Sequence, residues 1–146
     1  MMRYLLAAIN AKYIHSNLGI YSLRRYAMER LGLGQKDEQG AAVGMEMVSE
    51  AAEGENRTKT VSEIQIDLGE YTINHQMDQI LQDIYRRKPD VVGFSCYIWN
   101  IVYVKELIHD LKKVLPQVRI WMGGPEASYD AVHLMDELPE VELIMQ

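Results

Sequence analysis

A single cysteine, Cys96, is the whole thiol complement of this 146-residue chain. A disulfide framework or a four-thiolate metal site within the chain is therefore excluded. Positive charge is short as well: 15 Lys and Arg stand against 21 Asp and Glu, a formal net charge of -6. A nucleic-acid surface needs a basic face, so that class of partner is not expected. The basic cluster Arg86-Arg87-Lys88 falls at the end of a predicted helix, where cations complement the helix dipole. No apolar run approaches the length that spans a bilayer. Arg3 and Asn10 interrupt the N-terminal apolar stretch, so it does not read as a signal peptide. A cytoplasmic protein without a membrane partner is the simplest expectation. Apolar residues make up 48% and charged residues 25%, which is ordinary for one globular domain with a real core.

What is present is a strict alternation of strand and helix signals. Tyr4 to Ile9 is nearly continuous apolar sequence, as expected of a central parallel strand covered on both faces. Ser16 or Asn17 can cap the next helix, whose stripe is Ile20, Leu23, Ala27 and Leu31, with Gly32 and Gly34 ending it. Gln35 to Thr60 is rich in Gly, Glu and Ala with weak periodicity, and is expected to be a flexible insertion. Ser62 to Leu68 alternates Ile64, Ile66 and Leu68 with Glu63, Gln65 and Asp67, the pattern of an edge strand. Asn74 is expected to cap a second helix with Met77, Ile80, Leu81 and Ile84 inward.

Lys88-Pro89-Asp90 is a turn signal, and Val91 to Phe94 is a short buried strand. A third helix follows from near Asn100, with Val104, Leu107, Ile108, Leu111 and Leu115 on one face and Pro116 as its stop. Val118 to Met122 is a fourth strand. Ser128 or Asp130 opens a fourth helix carrying Val132, Met135 and Leu138, and Leu143-Ile144-Met145 begins a fifth strand. This alternation predicts an α/β, doubly wound, flavodoxin-like fold: a five-stranded parallel sheet in the order 2-1-3-4-5 with helices on both faces. Ligands of such sheets bind at the carboxyl ends of the strands, at the switch point between the first and third.

Three loops lie at that rim. The first holds Asn10, Lys12, Tyr13, His15, Ser16 and Asn17. The second holds Ser95, Cys96, Tyr97, Trp99 and Asn100. The third holds Gly123, Gly124, Pro125 and Glu126. A phospho-acceptor site needs clustered carboxylates for Mg²⁺, and Asn10 and Ser95 stand in those places. A flavodoxin-type phosphate loop needs small residues where Lys12-Tyr13-Ile14 stands. The dinucleotide fingerprint G-x-G-x-x-G is absent after the first strand.

Ile9-Asn10-Ala11-Lys12-Tyr13-Ile14-His15-Ser16-Asn17-Leu18, Lys88 to Asn100 and Gly123-Gly124-Pro125-Glu126, in this order, resemble the N-terminal cobalamin-binding domain of cobalamin-dependent radical S-adenosylmethionine proteins. The resemblance covers almost the whole chain apart from residues 35–60. It implies that residues 1–146 are a cobalamin-binding domain, with cobalamin laid over the carboxyl edge of the sheet and its nucleotide tail in the crevice. It implies a catalytic radical domain beyond Gln146, carrying S-adenosylmethionine and a four-iron four-sulfur cluster on a Cys-x₃-Cys-x₂-Cys motif that this chain lacks.

Loop chemistry is compatible with that implication. Gly123 and Gly124 allow close backbone approach, Ser95 can bond a tail group, and Tyr97 and Trp99 offer flat faces. Plainer roles stand beside these: a turn for Gly-Gly-Pro, a core cap for Tyr97 and Trp99, a small packed thiol for Cys96 and a solvated carboxylate for Glu126. Replacing Gly124 by Leu is expected to abolish binding and leave the fold intact. His15 is not expected to ligate cobalt, because Tyr13 stands where a related Asp-x-His-x-x-Gly class has its orienting Asp, and Gly19 comes one residue late. The alternative reading is a non-catalytic interaction domain that kept the fold and lost the cofactor. A small-ligand enzyme on the same fold ranks last, since His15 and Glu126 are its only acid-base candidates at the rim.

Overall fold

The computed structural model describes residues 1–11, 16–33 and 64–146. Lys12, Tyr13, His15, Gly34, Glu63 and the expected insertion at 35–60 lie outside these residues. The described elements run β1 (Met2–Asn10), α1 (Leu18–Arg30), β2 (Ile64–Thr72), α2 (Met77–Arg87), β3 (Val91–Ser95), α3 (Ile101–Val114), β4 (Arg119–Gly123), α4 (Pro125–Tyr129), α5 (Ala131–Glu137) and β5 (Val141–Ile144). The five strands form one parallel sheet in the order β2-β1-β3-β4-β5, as the alternation predicts. Among the described residues no helix is long and apolar enough to cross a membrane.

The pleat sorts side chains between two layers. Leu5, Ala7 and Ile9 of β1, Val92, Phe94 and Cys96 along β3, and Ile120 and Met122 of β4 face one layer. There they meet Ile80 and Ile84 of α2, Val104, Leu107, Ile108 and Leu111 of α3, Ala127 of α4 and Leu134 of α5. Leu6 and Ala8 face the other layer, where Ile20 of α1 covers them, with Ile66 and Leu68 of β2 alongside. Of the described helices, only α1 contributes a buried residue to that second cluster.

Several local expectations are corrected. β2 does not stop near Leu68 but pairs with β1 as far as Thr72. Gly69 makes room for the Tyr71 ring, since a Cβ there would come 2.9 Å from the Tyr71 hydroxyl oxygen. That hydroxyl donates to Asp83 of α2 at 2.6 Å, which fastens the edge strand to the helix behind it. Asn74 sits in a turn over Thr72, and α2 is capped instead by Gln76, whose backbone N–H donates to Gln79 Oε1 at 3.3 Å.

The single fourth helix is two short ones. Pro125 starts the first at a position where its missing N–H costs nothing. Asp130 caps the second, accepting from His133 N–H. Its inward residue is Leu134, while Val132 and Met135 are exposed. On α1, Ile20 is buried but Leu23 and Leu31 are exposed, so the expected stripe is only half covered.

Candidate functional site

The carboxyl ends of β1, β3 and β4 meet above the α1 layer, and hydrogen bonds tie the loops there into one unit. Asn17 caps α1, its Oδ1 accepting from the N–H groups of Gly19 and Ile20 at 3.0 and 3.4 Å. Its Nδ2 donates to Ser95 Oγ at 3.2 Å, so the start of α1 is bound to the end of β3. Ser95 O–H itself has no acceptor among the described residues. Glu70, near the end of β2, holds the same corner. One carboxylate oxygen accepts from Asn17 N–H at 3.0 Å and the other from Tyr21 O–H at 2.7 Å. That bond pushes the Tyr21 phenol above its ordinary value.

The β3–α3 and β4–α4 loops interlock through the backbone. Cys96 N–H donates to Gly123 carbonyl oxygen at 2.7 Å, and Glu126 N–H donates to Cys96 carbonyl oxygen at 3.3 Å. Gly124 lies at φ 97°, where a side chain is strained, and a Cβ there would come 2.6 Å from Cys96 O. Gly124 is therefore required by the packing of the two loops themselves. The expectation that Gly124→Leu leaves the fold intact is corrected by this contact. Ser128 of α4 reaches back to donate to the carbonyls of Gly124 and Met145, at 2.9 and 3.2 Å, which places the residue after β5 against the same corner.

Between α1 and the ends of β3 and β4 lies a groove of about 350 Å³. Its lining comprises Leu6, Gly93, Phe94, Ser95, Gly123 and Gly124 from β1, β3, β4 and the turn after β4; Gly19, Ile20 and Leu23 from α1; and Tyr97, Ser128, Met145 and Gln146 around the rim. It exists because two strand positions carry no side chain. A Cβ on Gly93 would come 3.2 Å from Leu6 Cδ2, and one on Gly123 would come 3.2 Å from Met145 Cε. Tyr97 forms a wall, its ring stacked on Trp99 with centroids 4.5 Å apart and planes 6° from parallel. The volume is within the usual range for a small-molecule site, and the lining is largely apolar with a few hydroxyls. A flat heteroaromatic group with a polar edge fits that description.

The structure thus brings Asn17, Ser95, Tyr97, Gly123 and Gly124 together. Asn10 ends β1 at the rim, partly buried, and its carbonyl accepts from Ile73 N–H at 3.0 Å. Ser16, Pro125 and Glu126 are exposed and do not line the groove, and Trp99 lies outboard of Tyr97, 45% exposed.

Two side chains expected at the ligand are corrected. Cys96 is fully buried in the closed layer, and burial pushes its thiol up to about 12. Asn100 is also fully buried, its amide spent on Ile9 O, Ser95 O and Tyr97 N–H. Neither side chain can touch a ligand in the groove.

Sequence reasoning missed Gly93, Gly19, Leu6, Ile20, Leu23, Ser128, Met145, Gln146 and Glu70. Gly93 did carry a signal, since a glycine inside a buried strand often marks close approach by a ligand. Ser128 and Glu70 carried none, because their roles depend on how α4 turns and how β2 extends. Among the described residues no cluster of His, Cys, Asp or Glu could hold a metal ion.

A doubly wound sheet with a glycine-floored groove at its switch point defines a ligand-binding domain of the flavodoxin-like class. The family model of the B12 binding domain matches residues 4–145, nearly the whole chain, and the chain belongs to that family. Cobalamin binding is the function this membership supports. No curated protein matches the chain.

Proposed function

We propose that the chain is the cobalamin-holding module of a radical S-adenosylmethionine enzyme, with the corrinoid over the carboxyl edge of the sheet and the nucleotide tail in the groove beside α1. The observation that carries the reading is the glycine floor. Gly93 and Gly123 open about 350 Å³ of largely apolar space directly beneath the rim. Leu6, Ile20, Leu23 and Met145 would pack against a base inserted there. Ser95 O–H would donate to a polar group of the tail, and Tyr97 would flank it. Bound cobalamin would supply cobalt–carbon chemistry. The residues described here bind and orient it and hold water away from the tail. The radical-enzyme context rests on the resemblance of the three rim loops, which includes Lys12, Tyr13 and His15.

Equilibrium dialysis of the purified chain against hydroxocobalamin tests the first part. Retention that free dimethylbenzimidazole riboside weakens by competition supports a tail-in-groove site. Absence of retention, in this chain and in the complete gene product, overturns it in favour of an interaction domain. The second part is tested on the complete gene product by iron and sulfide analysis and by reductive cleavage of S-adenosylmethionine. A product with neither cluster nor cleavage overturns the radical-enzyme context and leaves cobalamin binding standing.

A further inference from the structure

Asn100 is the one polar residue among the described residues that is fully buried, and its position in the sheet is specific. The ladder between β1 and β3 ends at the pair Ala8 and Ser95. Past that pair the two chains part, β1 toward α1 and β3 toward α3. The Asn100 amide sits where the backbone pairing stops. Its Nδ2 donates one hydrogen to Ile9 O at 3.0 Å and the other to Ser95 O at 2.9 Å. Its Oδ1 accepts from Tyr97 N–H at 2.8 Å, while Asn100 N–H donates to Tyr97 O at 3.1 Å. One side chain therefore supplies a further rung between β1 and β3 and also closes the turn that carries Tyr97. Ser95 is held at two atoms, its carbonyl by Asn100 and its hydroxyl by Asn17.

From this geometry we propose that Asn100 is a positioning residue of the groove: it sets the separation of the β1 and β3 ends and fixes Ser95 and Tyr97 for the ligand without touching it. The proposal rests on the cobalamin reading above. Its physical basis is that three backbone groups, one at a buried bond and two at partly buried ones, depend on one amide. Removing the amide leaves two carbonyls and an N–H without their partner, Ile9 O at a buried position, and they regain hydrogen bonds by moving apart toward water. Such movement widens the crevice, shifts Ser95 Oγ and frees the Tyr97 ring from its stack on Trp99. A residue that merely stabilised the fold would lower the melting temperature and leave the groove's shape unchanged in the molecules that remain folded.

The experiment uses Asn100→Ala and Asn100→Asp in the full chain. Leu111→Ala is the control, a core truncation at the far end of the same helix. Asn100→Asp keeps the acceptor for Tyr97 N–H but turns an oxygen toward two carbonyls, so it isolates the donor edge. Each variant is measured where circular dichroism shows it folded, by hydroxocobalamin dialysis and by iodide quenching of Trp99 in a Trp121→Phe background.

Both Asn100 variants should bind about tenfold more weakly than the parent, and their Trp99 should quench more readily. Leu111→Ala should change neither. Parent-like affinity and quenching in a folded Asn100→Ala would overturn the proposal. If the parent retains no hydroxocobalamin, the cobalamin reading fails, and the positioning claim is then decided by quenching alone. Should Asn100→Ala fail to fold, Asn100→Ser, which retains a single donor, takes its place in both measurements.

Discussion

Phe94 and Ser95 are neighbours in β3 and face opposite layers. Phe94 enters a closed layer in which α2, α3, α4 and α5 all contribute buried side chains. Ser95 enters a layer where α1 supplies one buried residue, Ile20, and where the space beside it is the groove. The same strand alternation thus produces two different surfaces. The closed layer shows what apolar residues do when every facing position carries bulk. The open layer shows the effect of having Gly93 and Gly123, rather than bulk, on neighbouring strands. Among the described residues most of the stabilising burial lies on the first side, and the second side holds the groove.

Truncation should separate the two layers most strongly. Phe94→Ala removes a fully buried ring and is expected to cost about 3–5 kcal/mol of unfolding free energy in urea titration. Leu6→Ala, on the open side, should cost about 2 kcal/mol, because the space it leaves joins a groove that water already reaches. Equal losses would mean that the open layer is as tightly packed as the closed one, and the comparison would fail.

The glycines sharpen it further. Gly124→Ala forces a side chain onto a positive φ and against the Cys96 backbone, so it should lower stability by about 1–3 kcal/mol. A Cβ at Gly93 meets only the flexible end of Leu6, and Gly93 lines the groove, so Gly93→Leu fills that space. It should weaken hydroxocobalamin retention at least about tenfold with a far smaller change in melting temperature. If instead Gly93→Leu unfolds the protein and Gly124→Ala does not, the roles assigned to these two glycines are reversed.

Cys96 provides a chemical readout of the closed layer. Its thiol, buried and pushed up to about 12, should resist alkylation in the native protein at mildly alkaline pH and react on unfolding. The sign of the linkage follows. The unfolded chain releases this proton above the ordinary value of 9.0 while the folded chain keeps it, so stability is complete below that pH and declines as pH rises toward about 12. Cys96→Ala should flatten that part of the profile.

The pattern of apolar residues was enough to place five strands in order and to orient α2 and α3, whose inward stripes are as expected. It misjudged α1, where half the apparent stripe borders the groove or solvent. At the rim, membership of the second loop alone puts Cys96 and Asn100 among the candidates, with a small packed thiol as the plainer role of Cys96. The alternation Val92, Phe94, Cys96 already put the thiol on the closed side, and that signal was available. The Asn100 orientation was not available, because it depends on two strands diverging after Ala8 and Ser95. Nor could the chain show that Asn17, Ser95 and Glu70, far apart in sequence, hold one corner.

The smallest effect is expected over β4 and β5, where none of the described helices adds a buried residue to the open layer. Glu142 accepts from Arg119 Nε and Nη2 at 2.7 and 2.9 Å and from Trp121 Nε1 at 3.2 Å. Tyr4 packs against Trp121 at 5.7 Å between ring centroids. The Arg119 bond, ahead of the others, holds the Glu142 carboxyl below the ordinary value of 4.5. A depressed carboxyl contributes stability above that value and loses it as pH falls through its folded value. Both partners are exposed, so water and salt screen the pair and the contribution is slight. Glu142→Gln should therefore leave stability at neutral pH indistinguishable from the parent, with a marginally flatter acid limb that raised salt erases. A loss matching that of Leu6→Ala, insensitive to salt, would show that this polar cluster seals the open face as a core would.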